Sequence, residues 1–289
     1  MLWIVRLDGT RMLIWKWFFV GLGLIVGSFL NVCILRIPRR QSIVFHHSSC
    51  THCRQAVKPY DNIPVASFLL LGGKCRFCKK QISWQYPVVE MLTGAIYWAT
   101  YVSYGFQWKT AVMLGFFSAL TVLVFIDLNE RILPNVITLP GIVLGLTLSL
   151  WVLVEDSTGL LILNFLGCSY SEGSWVSLLN SLVGMGVSSG FLWLVAEAYL
   201  KVKKMEGMGV GDIKLMGMVG AFIGVKKALL TIMMGSMIGA LIGLAFIKLT
   251  RKDFKYELPF GSFLGIAAII SSLWGTQLIS WYFVMTRIN

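Results

Sequence analysis

Long apolar runs alternate with short polar segments along most of the chain. Charge-free or nearly charge-free runs cover residues 17–35, 91–108, 110–126, 132–154, 173–196, 215–225, 228–247 and 258–286. A helix needs about 20 apolar residues to cross a bilayer, and these runs lack the apolar–polar alternation of membrane β-strands. The pattern predicts an all-α polytopic membrane protein with about eight transmembrane helices.

Two apolar segments are shorter than a full span. Because the run 215–225 is short, we expect it to borrow residues from the glycine-rich stretch before it or to form a broken helix. Residues 159–168 are apolar as well, but they fall short of a span. We predict that this second segment forms a loop element.

The composition supports a membrane protein and excludes several other classes. Of the 289 residues, 57% are hydrophobic and only 13% are charged, whereas a soluble domain carries roughly 25% charged residues. This excludes a soluble enzyme and a disordered protein. The net charge of +12 fits loops beside an anionic cytoplasmic leaflet. We therefore expect contact with the phospholipid bilayer and no nucleic-acid partner.

The distribution of basic residues predicts the orientation of the chain. The loops 36–85, 127–131, 201–212 and 248–257, counted with Lys214, hold 18 of the 25 lysines and arginines. The positive-inside rule places the loops richer in these residues in the cytoplasm. Both termini are then predicted on the opposite side of the membrane.

One predicted cytoplasmic loop, residues 36–85, is long enough to form a small domain, and we call it the cysteine loop. It contains two CxxC pairs, Cys50 with Cys53 and Cys75 with Cys78. Four thiolates at this spacing can hold one tetrahedral Zn²⁺ ion, which would supply much of the folding energy of so small a domain. The alternatives are disulfides or unrelated thiols, and a cytoplasmic location opposes disulfides.

These features predict three parts of the chain. Residues 1–35 form the first transmembrane helix, residues 36–85 form the cytoplasmic zinc-binding loop, and residues 86–289 form a membrane core of seven helices.

Ionisable residues at the edge of a membrane span are costly, so each one is a candidate functional residue. Asp127 ends the third predicted span, and Asp212 opens the sixth, so the predicted orientation places both at the same cytoplasmic depth. Two neighbouring carboxyl groups can share one proton, so that one acts as a base on water while the other polarises a carbonyl. The alternative is that both are solvated helix ends, with Asp212 complementing a helix N-terminus.

Two glutamates also lie near the predicted cytoplasmic boundary. We expect Glu90 to contact either a substrate or a loop, or else to form a plain ion pair. Glu197 is predicted to extend toward the headgroups or to pair with Lys201, four residues further along the helix.

With these motifs the chain resembles the type IV prepilin peptidase family, which are membrane aspartic proteases of the GxGD kind. The resemblance spans nearly the whole chain. Besides the CxxC pairs, its motifs are GSFLNV at 27–32, RIP at 36–38, DNIPV at 61–65, YPVVE at 86–90, IDL at 126–128, LPN at 133–135 and GVGDIKL at 209–215.

The resemblance implies that Asp127 and Asp212 are catalytic. It also implies cleavage of the basic leader of type IV prepilins and pseudopilins after a glycine, on the cytoplasmic side of the bacterial cytoplasmic membrane. Family members with the cysteine loop N-methylate the new N-terminus with S-adenosylmethionine, and their methylation-associated residues fall on Gly73 and Lys74. The other interpretation is that Gly73 and Lys74 merely form the turn before Cys75.

Three functions remain open at this point. The first is a bifunctional prepilin peptidase and methyltransferase, and the second is a peptidase without methylation. The third is a transporter or an assembly scaffold whose intramembrane carboxylates carry ions. Transporters usually contain inverted repeats, whereas this chain is asymmetric.

Overall fold

The computed structural model describes residues 9–43, 49–165, 167, 173–204, 208–250 and 259–286, and its regular elements are helices. Two isolated β-bridges join Ser49 to Ala56 and Lys74 to Gln81. A short 3₁₀ helix covers Pro59–Asn62. The α-helices are α1 (Gly9–Arg36), α2 (Ala66–Leu70), α3 (Gln85–Tyr104), α4 (Trp108–Glu130), α5 (Asn135–Leu148), α6 (Thr158–Phe165), α7 (Ser174–Lys203), α8 (Val210–Thr250) and α9 (Phe260–Thr286). The prediction of an all-α fold is confirmed.

Within the described residues, five helices are long and apolar enough to cross a membrane. They cover Met12–Arg36, Trp108–Glu130, Ser174–Lys203, Val210–Phe246 and Phe260–Thr286. The predicted run 132–154 contains the shorter apolar helix α5 of 14 residues. The chain is therefore a multi-pass membrane protein.

The prediction of a loop element at 159–168 is wrong where the structure describes it, because residues up to Phe165 form α6. Polar side chains stabilise the first turn of this helix. The Asp156 carboxylate accepts hydrogen bonds from the Thr158 backbone N–H (3.0 Å) and hydroxyl (2.6 Å). The Asn180 side-chain oxygen accepts one from the Gly159 N–H (2.7 Å). These acceptors satisfy amides that a short helix leaves without partners.

The chain divides into two compact units, Met1–Val122 and Leu123–Asn289, with the boundary inside α4. In the first unit, α1 packs on α3 through glycines four residues apart. A Cβ atom added at Gly23 would lie 2.7 Å from the Gly94 Cα, and one added at Gly27 would lie 2.7 Å from the Glu90 Cα. This GxxxG spacing lets two helix backbones approach closely.

In the second unit, α8 is interrupted at Gly224, where φ is 76°. After this point the helix runs along α9. The Thr231 hydroxyl lies 3.0 Å from the Ser271 hydroxyl. Eight residues further along α8, a Cβ atom added at Gly239 would lie 3.0 Å from the Phe263 ring. The second half of α8 therefore runs toward the first turn of α9.

The first half of α8 begins at this same end of α9, because the Asp212 carboxylate lies beside Gly261. The two halves consequently run in opposite directions on either side of Gly224. The Asp156 carboxylate lies against Gly224 and accepts a hydrogen bond from the Lys226 N–H (3.1 Å). It thus provides an acceptor for an amide at the start of the second half.

Candidate active site

The Asp127 carboxylate lies near the end of α4 and is held by the first turn of α9. Its Oδ2 atom accepts hydrogen bonds from the Ser262 backbone N–H (2.6 Å) and hydroxyl (2.7 Å). The Asp127 residue is only 5% exposed. Its orientation is therefore fixed by a residue 135 positions further along the chain.

The Asp212 carboxylate reaches the same point from the first turn of α8. A Cβ atom added at Gly261 would lie 2.9 Å from the Asp212 Oδ1 atom and 3.2 Å from the Asp127 Oδ2 atom. Asp212 is buried as well. The structure therefore brings the two sequence-predicted aspartates together, within reach of a single small group beside Gly261.

The loop between α4 and α5 packs against the glycines that precede Asp212. A Cβ atom added at Gly211 would lie 3.0 Å from the Leu133 Cβ. The Lys214 ammonium donates a hydrogen bond of 2.9 Å to the Asn135 side-chain oxygen. These contacts fix the start of α8, and with it Asp212, against the segment that follows Asp127.

Sequence reasoning missed Gly261 and Ser262 as residues of this site. Both lie in the first turn of α9, directly after Pro259 and Phe260. A glycine followed by a hydroxyl residue at the edge of an apolar span is the only local signal. The pairing with Asp127 depends on the tertiary packing of α9 against the end of α4.

The structure also brings the four cysteines of the cysteine loop together. The four sulfur atoms lie within 4.8 Å of one another, and the Cys50 and Cys78 sulfurs are 3.8 Å apart. Four sulfurs placed about 2.3 Å from a tetrahedral Zn²⁺ ion are separated by about 3.8 Å. The cluster could therefore hold a metal ion.

The two CxxC pairs have the same backbone geometry. In the first, the Cys50 N–H donates to the Gln55 carbonyl, and in the second the Cys75 N–H donates to the Lys80 carbonyl, both at 2.9 Å. The residue after each pair, Arg54 or Lys79, has φ of 57°. Each pair thus forms the same tight turn, with both thiols presented toward the cluster.

Side-chain contacts tie the cysteine loop to itself and to α3. Asp61 forms a bidentate ion pair with Arg76, with nitrogen–oxygen distances of 2.6 to 3.1 Å. The Arg76 guanidinium holds the pKa of Asp61 below its usual range. The Glu90 Oε2 atom, at the start of α3, accepts a hydrogen bond of 2.7 Å from the Val65 N–H. Of the two predicted roles for Glu90, the structure therefore supports the loop contact.

The other predicted residues lie outside the aspartate site. Glu197 forms the expected ion pair with Lys201, at 3.4 Å. Gly73 adopts φ of +67° in the turn before Cys75, where its N–H donates to the Phe68 carbonyl at 2.8 Å. Lys74 is exposed on the same turn.

Two family models match this chain. The model of the bacterial peptidase A24 N-terminal domain matches residues 22–104. The model of the type IV leader peptidase family matches residues 114–244, which contain both aspartates. No solved structure matches the chain.

Curated relatives match over almost the full length. The prepilin leader peptidase/N-methyltransferase of Stutzerimonas stutzeri is 33% identical, over 92% of this chain and 93% of the relative. The proteins of the same name from Pseudomonas aeruginosa (33%) and Aeromonas hydrophila (32%) each match over 90% of this chain and 91% of their own length.

The chain therefore belongs to the type IV leader peptidase family. The resemblance predicted from the motifs, and the enzyme class that it implies, are confirmed by these matches. They favour an enzyme over a transporter or an assembly scaffold.

Proposed function

We propose that this protein cleaves the leader peptide of type IV prepilins and pseudopilins, with Asp127 and Asp212 as the catalytic pair. The observation that carries the proposal is the convergence of the two buried carboxylates beside Gly261. Their roles follow from the chemistry of two carboxyl groups that share one proton and titrate as a unit.

In this mechanism the unprotonated member of the pair removes a proton from a water molecule. That water attacks the carbonyl carbon of the scissile peptide, while the protonated member donates a hydrogen bond to the carbonyl oxygen. Collapse of the tetrahedral intermediate then transfers a proton to the departing amine. Because Gly261 has no side chain, both carboxylates can lie close to its backbone.

We also propose that the chain crosses the bacterial cytoplasmic membrane eight times and presents the aspartates to the cytoplasm. Counting α3, α5 and the two oppositely directed halves of α8 separately gives the eight crossings predicted from the apolar runs. The excess of lysine and arginine in the loops on the aspartate side supports this orientation.

The second proposed activity is N-methylation of the new N-terminus, in which S-adenosylmethionine would supply the methyl group. The names of the relatives support it, and so does the presence of the complete cysteine loop. We propose that Cys50, Cys53, Cys75 and Cys78 hold a structural Zn²⁺ ion. Gly73 and Lys74 are proposed to support methylation from the turn beside this metal site.

Mass spectrometry of a prepilin treated with the purified protein tests both activities. Incubation without S-adenosylmethionine should yield the mature pilin lacking its leader. Addition of the donor should increase the mass of that product by one methyl group. Cleavage without methylation would show that the protein is a peptidase without methyltransferase activity. An unchanged prepilin would contradict the proposed function.

We expect one Zn²⁺ ion per chain when the protein is purified without chelators, as measured by elemental analysis. Cys75→Ser should lower this content strongly, because a structural site needs all four thiolates, and it should destabilise the cysteine loop. Cys33→Ala is the matched control, since Cys33 is a buried thiol in α1 outside the cluster. Metal-free wild-type protein, or disulfides mapped among the four cysteines, would contradict the prediction.

Ser262→Ala should lower the turnover number for cleavage about tenfold, because the mutant loses one of two hydrogen bonds that orient Asp127. KM should change little, because Ser262 acts through Asp127 rather than on the substrate. Ser262→Thr keeps the hydroxyl and should restore most of the activity. Wild-type turnover by the Ser262→Ala enzyme would show that the backbone N–H of residue 262 alone positions the Asp127 carboxylate.

A further inference from the structure

The first unit contains a cavity of about 1220 Å³ between α1, the cysteine loop and the start of α3. We call it the loop cavity. Pockets for small organic ligands measure about 300–1,000 Å³, so its size is sufficient for a nucleoside derivative together with part of a second molecule. Its wall includes Ser28 and Arg39 near the end of α1, Phe68 in α2, and Trp84 and Glu90 at the start of α3.

Aromatic side chains form part of the wall of the loop cavity. The rings of Phe68 and Trp84 pack together with centroids 4.9 Å apart, and Phe77 and Tyr86 also line the space. Aromatic faces attract both flat heterocycles and cations. This wall therefore suits a ligand that combines a base with a positive charge.

Glu90 provides a buried carboxylate in the same wall. It is 6% exposed, and it accepts a hydrogen bond of 2.7 Å from the Val65 N–H. Among the residues that the structure describes, no lysine or arginine forms an ion pair with it. A buried carboxylate is strongly favoured when it faces a cation, so Glu90 favours a cationic ligand over an anionic one.

The second carboxylate of the wall is already paired. Asp61 is held by the bidentate contact with Arg76, which leaves Glu90 as the carboxylate for a ligand cation. Arg36 and Arg39 also line the cavity, and a guanidinium suits the carboxylate of an amino acid. Aromatic rings, one carboxylate and guanidinium groups together match a molecule with a base, a cationic centre and an amino-acid end.

We propose that the loop cavity is the binding site for S-adenosylmethionine, with Phe68 and Trp84 recognising the adenosine part and Glu90 the sulfonium cation. The proposal rests on the proposed methyltransferase function and gives that function a location. It places the donor in the part of the chain that also contains the four-cysteine cluster.

The proposal gives Gly73 a physical role. Gly73 is outside the set of residues that line the loop cavity, but a Cβ atom added there would lie 3.1 Å from the Phe68 Cζ atom. The positive φ of +67° at Gly73 adds strain for any larger residue. A side chain at position 73 therefore displaces Phe68 and changes the cavity wall.

The proposal is tested by equilibrium dialysis of the purified, metal-loaded full chain. Binding is measured for labelled S-adenosylmethionine and for S-adenosylhomocysteine, the demethylated product, whose thioether sulfur carries no charge. Glu90→Gln keeps an oxygen acceptor for the Val65 N–H but removes the charge. It should weaken binding of the sulfonium compound about tenfold and leave that of the thioether nearly unchanged. Phe68→Ala should weaken both, and Gly73→Val should follow Phe68→Ala.

Leu70→Ala is the matched control, because Leu70 lies in α2 with Phe68 but is 86% exposed. It should bind both compounds as the wild type does. The zinc content of each variant verifies that the cysteine loop remains folded. If Glu90→Gln loses its metal, the binding measured for Phe68→Ala and Gly73→Val tests the proposal instead.

The possible failures can be told apart. If the wild type methylates a pilin but the cavity variants bind the donor normally, the site is elsewhere and the methyltransferase function stands. If the wild type neither binds the donor nor methylates, that function fails together with its site. Displacement of the bound donor by micelles of short-chain phosphatidylglycerol would assign the cavity to a lipid headgroup and overturn the proposal.

Discussion

Asp127→Asn and Asp212→Asn should each lower the rate of prepilin cleavage by at least about a thousandfold. An asparagine can neither accept the proton of the attacking water nor share a proton with its partner, so a single replacement inactivates the pair. The two carboxylates already converge beside Gly261, and the amide has almost the same shape as the carboxylate. We therefore expect each mutant to fold normally. Mass spectrometry of the pilin over time measures the rate.

Glu130→Gln is the matched control for these replacements. Glu130 is exposed at the end of α4, three residues after Asp127, so its replacement removes a negative charge near the site without changing the pair. Its cleavage rate should equal that of the wild type. Substantial turnover by either purified aspartate mutant would exclude the two-carboxylate mechanism.

The positions of the two aspartates could be predicted from the sequence because burial of a carboxylate at a membrane boundary is costly. A charged residue at the edge of an apolar run is therefore visible in the hydropathy pattern. The cysteine cluster could be predicted for a different reason. The two residues of each CxxC pair are close in sequence, so the local spacing already contains half of the site geometry.

The groups that complete the aspartate site could not be predicted in this way. Ser262 contacts Asp127 across 135 positions of sequence, and no periodicity within α9 records that contact. The orientation of the carboxylate thus depends on tertiary packing, which becomes apparent only when α9 is placed against α4.

The reversal within α8 was only partly visible in the sequence. The separate apolar runs 215–225 and 228–247, of which only the first is short, predicted two helices divided at Lys226 and Lys227. The residue that turns the chain is Gly224, and the carboxylate that lies against it, Asp156, comes from the segment before α6. The local sequence therefore located the break in α8. The acceptor for the Lys226 N–H, which is the Asp156 carboxylate, lies 70 positions earlier in the chain.

Gly261→Ala should lower cleavage about a hundredfold, the typical effect of displacing catalytic groups by about 1 Å. The new methyl group would lie 2.8 Å from the Leu133 Cδ1 atom, 2.9 Å from the Asp212 Oδ1 atom and 3.2 Å from the Asp127 Oδ2 atom, so the two carboxylates would have to move. Overpacking of a buried position also costs about 1–3 kcal/mol of stability, because the Leu133 side chain must move as well. Gly186→Ala in α7 is the control. Apart from its own helix turn, a Cβ atom added at Gly186 would meet no atom within 4 Å, so this mutant should retain full activity. Thermal unfolding of both mutants verifies that they remain folded under the assay conditions, and a fully active Gly261→Ala protein would show that cleavage does not depend on the close approach of the carboxylates to Gly261.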